Sequence, residues 1–160
     1  MIIHPLKPIY DKNSKILILG SFPSKISREY DFYYANPTNR FWKIMSKLFD
    51  IELSSIESKV DLLYKNHIAL WDVIYSCEIA GSSDLSIKNV IPNDIDKILN
   101  NSMVKTIFVT GKAAFKYYNK YLKDKLNIEA ILLPSSSSAN ASFSLESLIE
   151  KYKVIIEYLK

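Results

Sequence analysis

Lys15-Ile16-Leu17-Ile18-Leu19-Gly20-Ser21-Phe22-Pro23-Ser24 is the stretch that decides the fold. Four branched aliphatic residues in succession cannot serve a half-buried strand, which alternates apolar and polar positions, so they read as a strand covered on both faces. The Gly20 and Pro23 that follow interrupt any regular element, and a turn is expected there. Three more runs of this kind, Ile68–Trp71, Lys105–Thr110 and Ala130–Leu133, join Lys15–Leu19 as predicted strands. Between them Arg40–Phe49, Ile56–Lys65, Asp94–Leu99 and Ala113–Leu122 carry apolar residues near the helical period, and Leu145–Leu159 closes the chain as a helix. Strands alternating with helices predict a parallel sheet with helices on both faces. The expected fold is α/β, a three-layer α/β/α sandwich around a four-stranded, mainly parallel sheet, with residues 1–160 as one domain.

Composition narrows the function classes. The chain has 160 residues, 48% of them hydrophobic and 24% charged, as in a self-sufficient globular core. No apolar run approaches the roughly 20 residues of a membrane span, and the start MIIHPLKPIY lacks the order of a signal peptide, so a cytoplasmic protein with no membrane partner is expected. A lone cysteine, Cys77, excludes an internal disulfide and any four-cysteine metal site, and reads as a small buried hydrophobe; no metal and no cofactor are expected. The net charge of +4 by itself decides nothing, but Lys25, Arg28, Arg40, Lys43 and Lys47 cluster among aromatic residues, which suits a nucleic-acid surface. Lys112, Lys116 and Lys120 recur every four residues and read as an ordinary solvated helix face. There is no internal repeat and no linker, and a monomer is expected.

In parallel sheets ligands bind beyond the carboxyl ends of the strands. Three such segments stand out. One is Gly20–Ser24 with the downstream Tyr33-Tyr34-Ala35-Asn36-Pro37-Thr38-Asn39-Arg40-Phe41-Trp42; another is Trp71-Asp72 with the Tyr75-Ser76-Cys77 stretch; the last is Leu133-Pro134-Ser135-Ser136-Ser137-Ser138-Ala139-Asn140. All should meet at one rim of the sheet.

The Gly-x-x-Pro turn after the first strand, the aromatic-x-Asn-Pro step, the Asn-Arg-Phe-Trp helix start and the Leu-Pro-Ser-x-Ser-x-Ala-Asn end of the fourth strand together resemble the uracil-DNA glycosylase superfamily. The likeness is to its hypoxanthine and mismatch-specific branches. It extends through Ile68-Ala69-Leu70-Trp71-Asp72-Val73 and Val90-Ile91-Pro92-Asn93-Asp94, and so spans most of the chain.

The resemblance implies a monofunctional DNA glycosylase acting by base flipping on DNA that contains a deaminated base, hypoxanthine before uracil. It implies that Gly20, Ser21, Phe22 and Pro23 line the base pocket and that Tyr34 stacks on the flipped base. A packing role for Tyr34, one of 11 tyrosines, is the competing reading. Asn39 is implied to be the catalytic residue, its amide orienting a water, although it also stands where a helix cap belongs. Ser135, Ser136, Ser137 and Asn140 are implied to press on the DNA backbone, with Arg40 beside them, and the competing reading is a plain connector into a helix capped by Ser144. Asp72 is placed in the base pocket as a possible acceptor or hidden base, but an aspartate after a strand is ordinary in a turn, and that reading is favoured.

Two departures from the uracil-specific enzymes count. Gly20–Ser24 holds no carboxylate, and Ser135–Ser138 holds no histidine, so uracil specialism is disfavoured. His4 and His67 fall outside the predicted rim and read as structural. The rival functions are a uracil or mismatch glycosylase, a catalytically silent nucleic-acid-binding module of the same fold and, last, a nucleotide-binding α/β protein. The last lacks both the Walker lysine and Gly-x-Gly-x-x-Gly after Gly20.

Overall fold

The computed structural model describes residues 1–160. Its centre is a parallel sheet of four strands, β2 (Ile16–Gly20), β3 (Ile68–Asp72), β6 (Thr106–Thr110) and β7 (Ile131–Leu133), in the order β3-β2-β6-β7. Ile16 pairs with Ile68 on one side and Thr106 on the other, and Gly20 pairs with Asp72, so the strand ends are level where the site forms. Every residue of β2 and β3 is buried, as the unbroken apolar runs require. The sheet is flanked by helices, among them α2 (Phe41–Phe49), α3 (Ile56–Lys65), α5 (Lys112–Tyr121) and α7 (Leu145–Tyr152). No helix is long and apolar enough to cross a membrane.

A second sheet escaped the sequence reading. Strands β1 (Ile2–Ile3), β4 (Ile74–Glu78) and β5 (Lys88–Pro92) form a small antiparallel sheet in the order β1-β4-β5. Only Val73 separates β3 from β4; its N–H donates to Gly20 O, and its carbonyl accepts from Asn93 N. Asn93 is buried, and its Nδ2 donates to the carbonyls of Asp72 (2.9 Å) and Ile74 (3.1 Å), satisfying the backbone where the chain changes sheets. Register breaks and an exposed β5 hide this sheet from period-two pattern matching.

Four further differences are local. α1 (Lys25–Tyr30) follows the Pro23 turn, capped by Ser24, whose Oγ accepts from Ser27 N. The helix expected over Asp94–Leu99 shortens to α4 (Asp96–Leu99). The closing helix breaks at Lys153 into α7 and α8 (Val154–Glu157), with α6 (Lys123–Leu126) a separate turn after α5. Ser144 caps α7 through Ser147 N, as its position suggested.

The first nine residues strap both sheets together. His4 N donates to Tyr75 O, and Ile9 exchanges two backbone hydrogen bonds with Leu70. The strap thereby carries His4 to the end of β3.

Candidate functional site

The site is an open pocket of about 170 Å³, below the roughly 300–1,000 Å³ of clefts that enclose drug-sized ligands. The ends of β2, β3, β6 and β7 bring to it Gly20, Ser21, Phe22, Pro23, Tyr34, Asn39, Asp72, Ser135, Ser136 and Ser137. Arg40 and Asn140 stand outside its wall, and Tyr75-Ser76-Cys77, expected at the same rim, lies in β4 of the small sheet and does not line it.

Gly20 ends β2 beside Asp72, and a Cβ there would lie 2.5 Å from Asp72 Oδ1 and 3.2 Å from Tyr34 Oη. Glycine is therefore required by the close approach of two pocket side chains rather than by its dihedral freedom. Tyr34 has φ 51°, a backbone conformation uncommon for an aromatic residue, and its ring stacks on Phe41 at 4.1 Å between centroids. One face of the ring is thus packed, which leaves the other for the pocket. Its hydroxyl lies 3.4 Å from Thr110 Oγ1. Burial, and then the charge of Asp72, push the Tyr34 phenol far above its ordinary range, so it stays a neutral donor.

Asn39 is held from two sides. Phe41 N donates to its Oδ1 at 2.9 Å and Ser136 Oγ donates to the same oxygen at 2.8 Å. Backbone N–H groups only donate, so the atom facing Phe41 N must be the oxygen, and the amide orientation is settled by chemistry. The Oδ1 accepts from the first N–H of α2, one residue ahead of the N-cap Arg40; the Nδ2 has no protein partner and is the part of Asn39 free for a ligand. The amide therefore acts in the pocket as a donor.

The serine loop is bound to the start of α2. Arg40 N donates to Ser136 O, and the Arg40 guanidinium donates to the carbonyls of Ser136, Ser137, Asn140 and Phe143. Asn140 Nδ2 donates to Ser135 O, and Ser138 Oγ to Thr38 Oγ1. Arg40 and Asn140 spend their polar atoms on the shape of the loop. The Ser135 and Ser137 hydroxyls accept from Ser137 N and Ala139 N, which leaves their O–H groups as donors.

Asp72 lies in the pocket with 4% of its surface exposed, not in a solvated turn. His4 Nε2 sits 2.8 Å from its Oδ2. The expectation that His4 lies away from the rim is corrected here: the strap, unreadable as a strand at two residues, delivers it to the back of the pocket. Its ring is enclosed by Phe22, Tyr33 and Trp71. His67 is remote, and its Nδ1 is buried without a partner.

Asp84 was missed altogether. It belongs to a single 3-10 turn (Asp84–Ser86) between β4 and β5, exposed at the pocket mouth, and accepts from Ser21 Oγ at 3.0 Å. Desolvation raises its carboxyl pKa, opposed by the Ser21 bond and assisted by the Asp72 charge. No periodicity or motif flags a residue in so short a turn. Thr110 and Ser27, which also line the wall, carried no signal either.

A second groove shares Tyr34, Asn36 and Asn39 with the first and continues along α2 past Lys43, Lys47 and Lys59. It sets a cationic track beside the pocket, with Lys59 Nζ 5.7 Å from the Trp42 ring.

Comparison with known proteins agrees with this geometry. The family model described as the Uracil DNA glycosylase superfamily matches residues 7–160. A hypoxanthine DNA glycosylase of Methanosarcina acetivorans is 35% identical over 147 residues, covering 90% of this chain and 92% of the relative. One of Methanosarcina barkeri is 32% identical over 136 residues, covering 83% and 85%. A solution NMR structure from Methanosarcina acetivorans, described as a candidate uracil DNA glycosylase, superposes with a TM-score of 0.84 at 32% identity over 99% of both chains. Matching the family model over nearly its whole length and these relatives over most of theirs, the chain belongs to the uracil DNA glycosylase superfamily and is one of its DNA glycosylases.

Proposed function

We propose that this glycosylase removes a deaminated base, hypoxanthine foremost, from DNA by flipping it into the pocket and hydrolysing its N-glycosidic bond. The water oxygen bonds to C1′, the C1′–N bond breaks with its electron pair going to the base, and one proton of the water is released while the departing base anion takes one up; the products are an abasic site and free base. The observation that carries the reading is the locked Asn39 amide, a donor fixed in a small polar pocket beside an aromatic platform. Such a bond has an oxocarbenium-like route in which negative charge grows on the departing base. Fixed donors aimed at that charge are the main catalytic device such a pocket can offer.

Tyr34 stacks on the flipped base, a contact worth about 1–3 kcal/mol and indifferent to base identity. Asn39 Nδ2 meets the base oxygen, where negative charge grows; with its Oδ1 taken by Phe41 N and Ser136 Oγ, the amide serves the departing base rather than accepting from the water as its sequence position suggested. Gly20 to Pro23 shape the wall. Ser135, Ser136 and Ser137 face the DNA backbone with hydroxyl and main-chain donors, while Arg40 and Asn140 act by holding that loop. The names of the two curated relatives favour hypoxanthine; the name of the solved relative makes uracil the first competitor.

The test is single-turnover cleavage of oligonucleotides carrying deoxyinosine, deoxyuridine or deoxyxanthosine, followed by alkali, with wild type and Asn39→Asp. The aspartate keeps the oxygen that accepts from Phe41 N and Ser136 Oγ but removes the N–H donors. A loss on the order of 100-fold in rate is expected, with thermal stability and DNA affinity little changed. An unchanged rate would reduce Asn39 to a support for the start of α2.

A further inference from the structure

His4 reaches the pocket machinery from the N-terminal strap, and its two ring nitrogens are both engaged. Leu6 N donates to Nδ1 at 3.1 Å, and Nε2 faces Asp72 Oδ2 at 2.8 Å. An N–H cannot accept, so Nδ1 carries no hydrogen and the single hydrogen of the ring sits on Nε2. It is therefore His4 that donates and Asp72 Oδ2 that accepts. The ring has no room to turn over, being 1% exposed and packed against Phe22 (5.8 Å), Tyr33 (6.3 Å) and Trp71 (6.4 Å). Asp72 Oδ1 accepts from no protein group and lies over Gly20, on the pocket side.

We propose that His4 is a positioning residue that fixes Asp72 as a hydrogen-bond acceptor toward the base, and that this acceptor, beside the Asn39 donor, makes the pocket selective for a lactam edge. The inference deepens the substrate reading above and rests on it. Deamination turns the amidine edge of adenine or cytosine, an amino donor beside a bare ring nitrogen, into a carbonyl acceptor beside a ring N–H. A pocket that offers N–H from Asn39 and a carboxylate oxygen from Asp72 matches the second pattern and opposes the first. Each group is held from behind by its own partners. Phe41 N and Ser136 Oγ hold the Asn39 oxygen, and His4 holds Asp72. Discrimination by unpaired buried polar groups is the strong kind, because a mismatched edge leaves the fixed acceptor facing a lone pair. The device separates hypoxanthine from adenine and uracil from cytosine. Guanine and thymine, which carry a lactam themselves, must be rejected by shape.

Two measurements on the full chain test this. In a long-range proton–nitrogen correlation spectrum at neutral pH, His4 should show a bare Nδ1 and a protonated Nε2; with only His67 as a second histidine, assignment by His67→Gln is direct. The second compares His4→Gln with His4→Asn. Both lose the imidazole packing, so that cost is shared. The glutamine amide reaches where Nε2 stood and can still donate to Asp72, whereas asparagine reaches only as far as Nδ1. On deoxyinosine, His4→Gln should retain the single-turnover rate to within about tenfold. His4→Asn should fall on the order of 100-fold, with DNA affinity within about threefold of wild type in both. Equal rates for the two variants, or an Nδ1–H or doubly protonated His4, overturns the proposal. If wild type releases none of the three lesions, the substrate reading fails alone, and the His4–Asp72 arrangement stands or falls on the nitrogen spectrum.

Discussion

Replacing Gly20 by alanine adds a single methyl group at the most crowded point of the pocket. The new Cβ would sit 2.5 Å from Asp72 Oδ1, short of ordinary van der Waals contact at 3.4 Å by 0.9 Å, and 3.2 Å from Tyr34 Oη. Asp72 cannot swing aside freely, because its other oxygen is bound by His4 at 2.8 Å and 96% of its surface is buried. The strain must be taken by breaking that bond or by parting β2 from β3, which are paired at Gly20 and Asp72. Overpacking of this kind costs about 1–3 kcal/mol. For a chain of this size each kcal/mol lowers the melting temperature by roughly 2–4 °C, so a fall of about 2–12 °C is expected. The chemical effect should exceed the stability effect, since displacing a pocket group by about 1 Å costs on the order of 100-fold in rate. Differential scanning calorimetry and single-turnover cleavage of a deoxyinosine oligonucleotide measure the two. A Gly20→Ala protein that melts within a degree of wild type and cleaves at the wild-type rate would refute the reasoning, because it would mean that the Asp72 carboxylate does not occupy the place described.

Other expectations separate direct from indirect roles. Arg40→Lys keeps the charge but loses the planar fork that serves four carbonyls, so stability should drop by about 1–3 kcal/mol. DNA affinity should weaken with the loop, and Arg40→Ala, which removes the charge, should leave the salt dependence unchanged; a slope lowered by about 1 in Arg40→Ala would instead make Arg40 a phosphate contact. Lys43→Ala, in the cationic groove, should do the reverse, leaving stability within about 0.5 kcal/mol while reducing the salt slope by roughly 0.9. An unaltered slope would take Lys43 off the DNA track. Asp84→Asn tests the second carboxylate. The folded-state pKa of Asp84 is raised, so its protonated form is the one favoured by folding, and the stability linked to it is lost as pH rises from 3.8 through the raised value. At neutral pH the variant should melt at or above the wild-type temperature, and the stability difference should vanish in acid. A lower melting temperature at neutral pH would show that the charged Asp84–Ser21 contact stabilises the fold.

How much of this was legible in the chain depended on whether the signal was local. β2 and β3 are written as unbroken aliphatic runs, and the predicted bounds Lys15–Leu19 and Ile68–Trp71 miss the observed ones by a residue because Gly20 and Asp72 pair in the sheet without being apolar. The helix over Ile56–Lys65 was bounded as observed, and Ser55 supplies its cap. The small sheet was not legible, since β1 has two residues and β4 and β5 are joined with shifted register. Asn39 was legible both as a cap and as a candidate for chemistry, and in the structure its two amide atoms have separate surroundings. Its oxygen serves the helix and its nitrogen faces the pocket.

The sequence by itself determined the parallel core and which segments would meet beyond its strand ends, because burial on two faces demands continuous apolar runs and parallel strands place their carboxyl ends on one side. It also determined that Tyr34, Asn39 and the serine loop would share a rim. The polarity of the site, by contrast, arises only on folding. Which oxygen of Asp72 is spent, which end of the Asn39 amide is free and which nitrogen of His4 bears the hydrogen all depend on partners distant in the chain: 68 residues from His4 to Asp72 and 97 from Asn39 to Ser136. Hydrogen-bond direction is a property of such pairs, and it exists only once folding has brought them together.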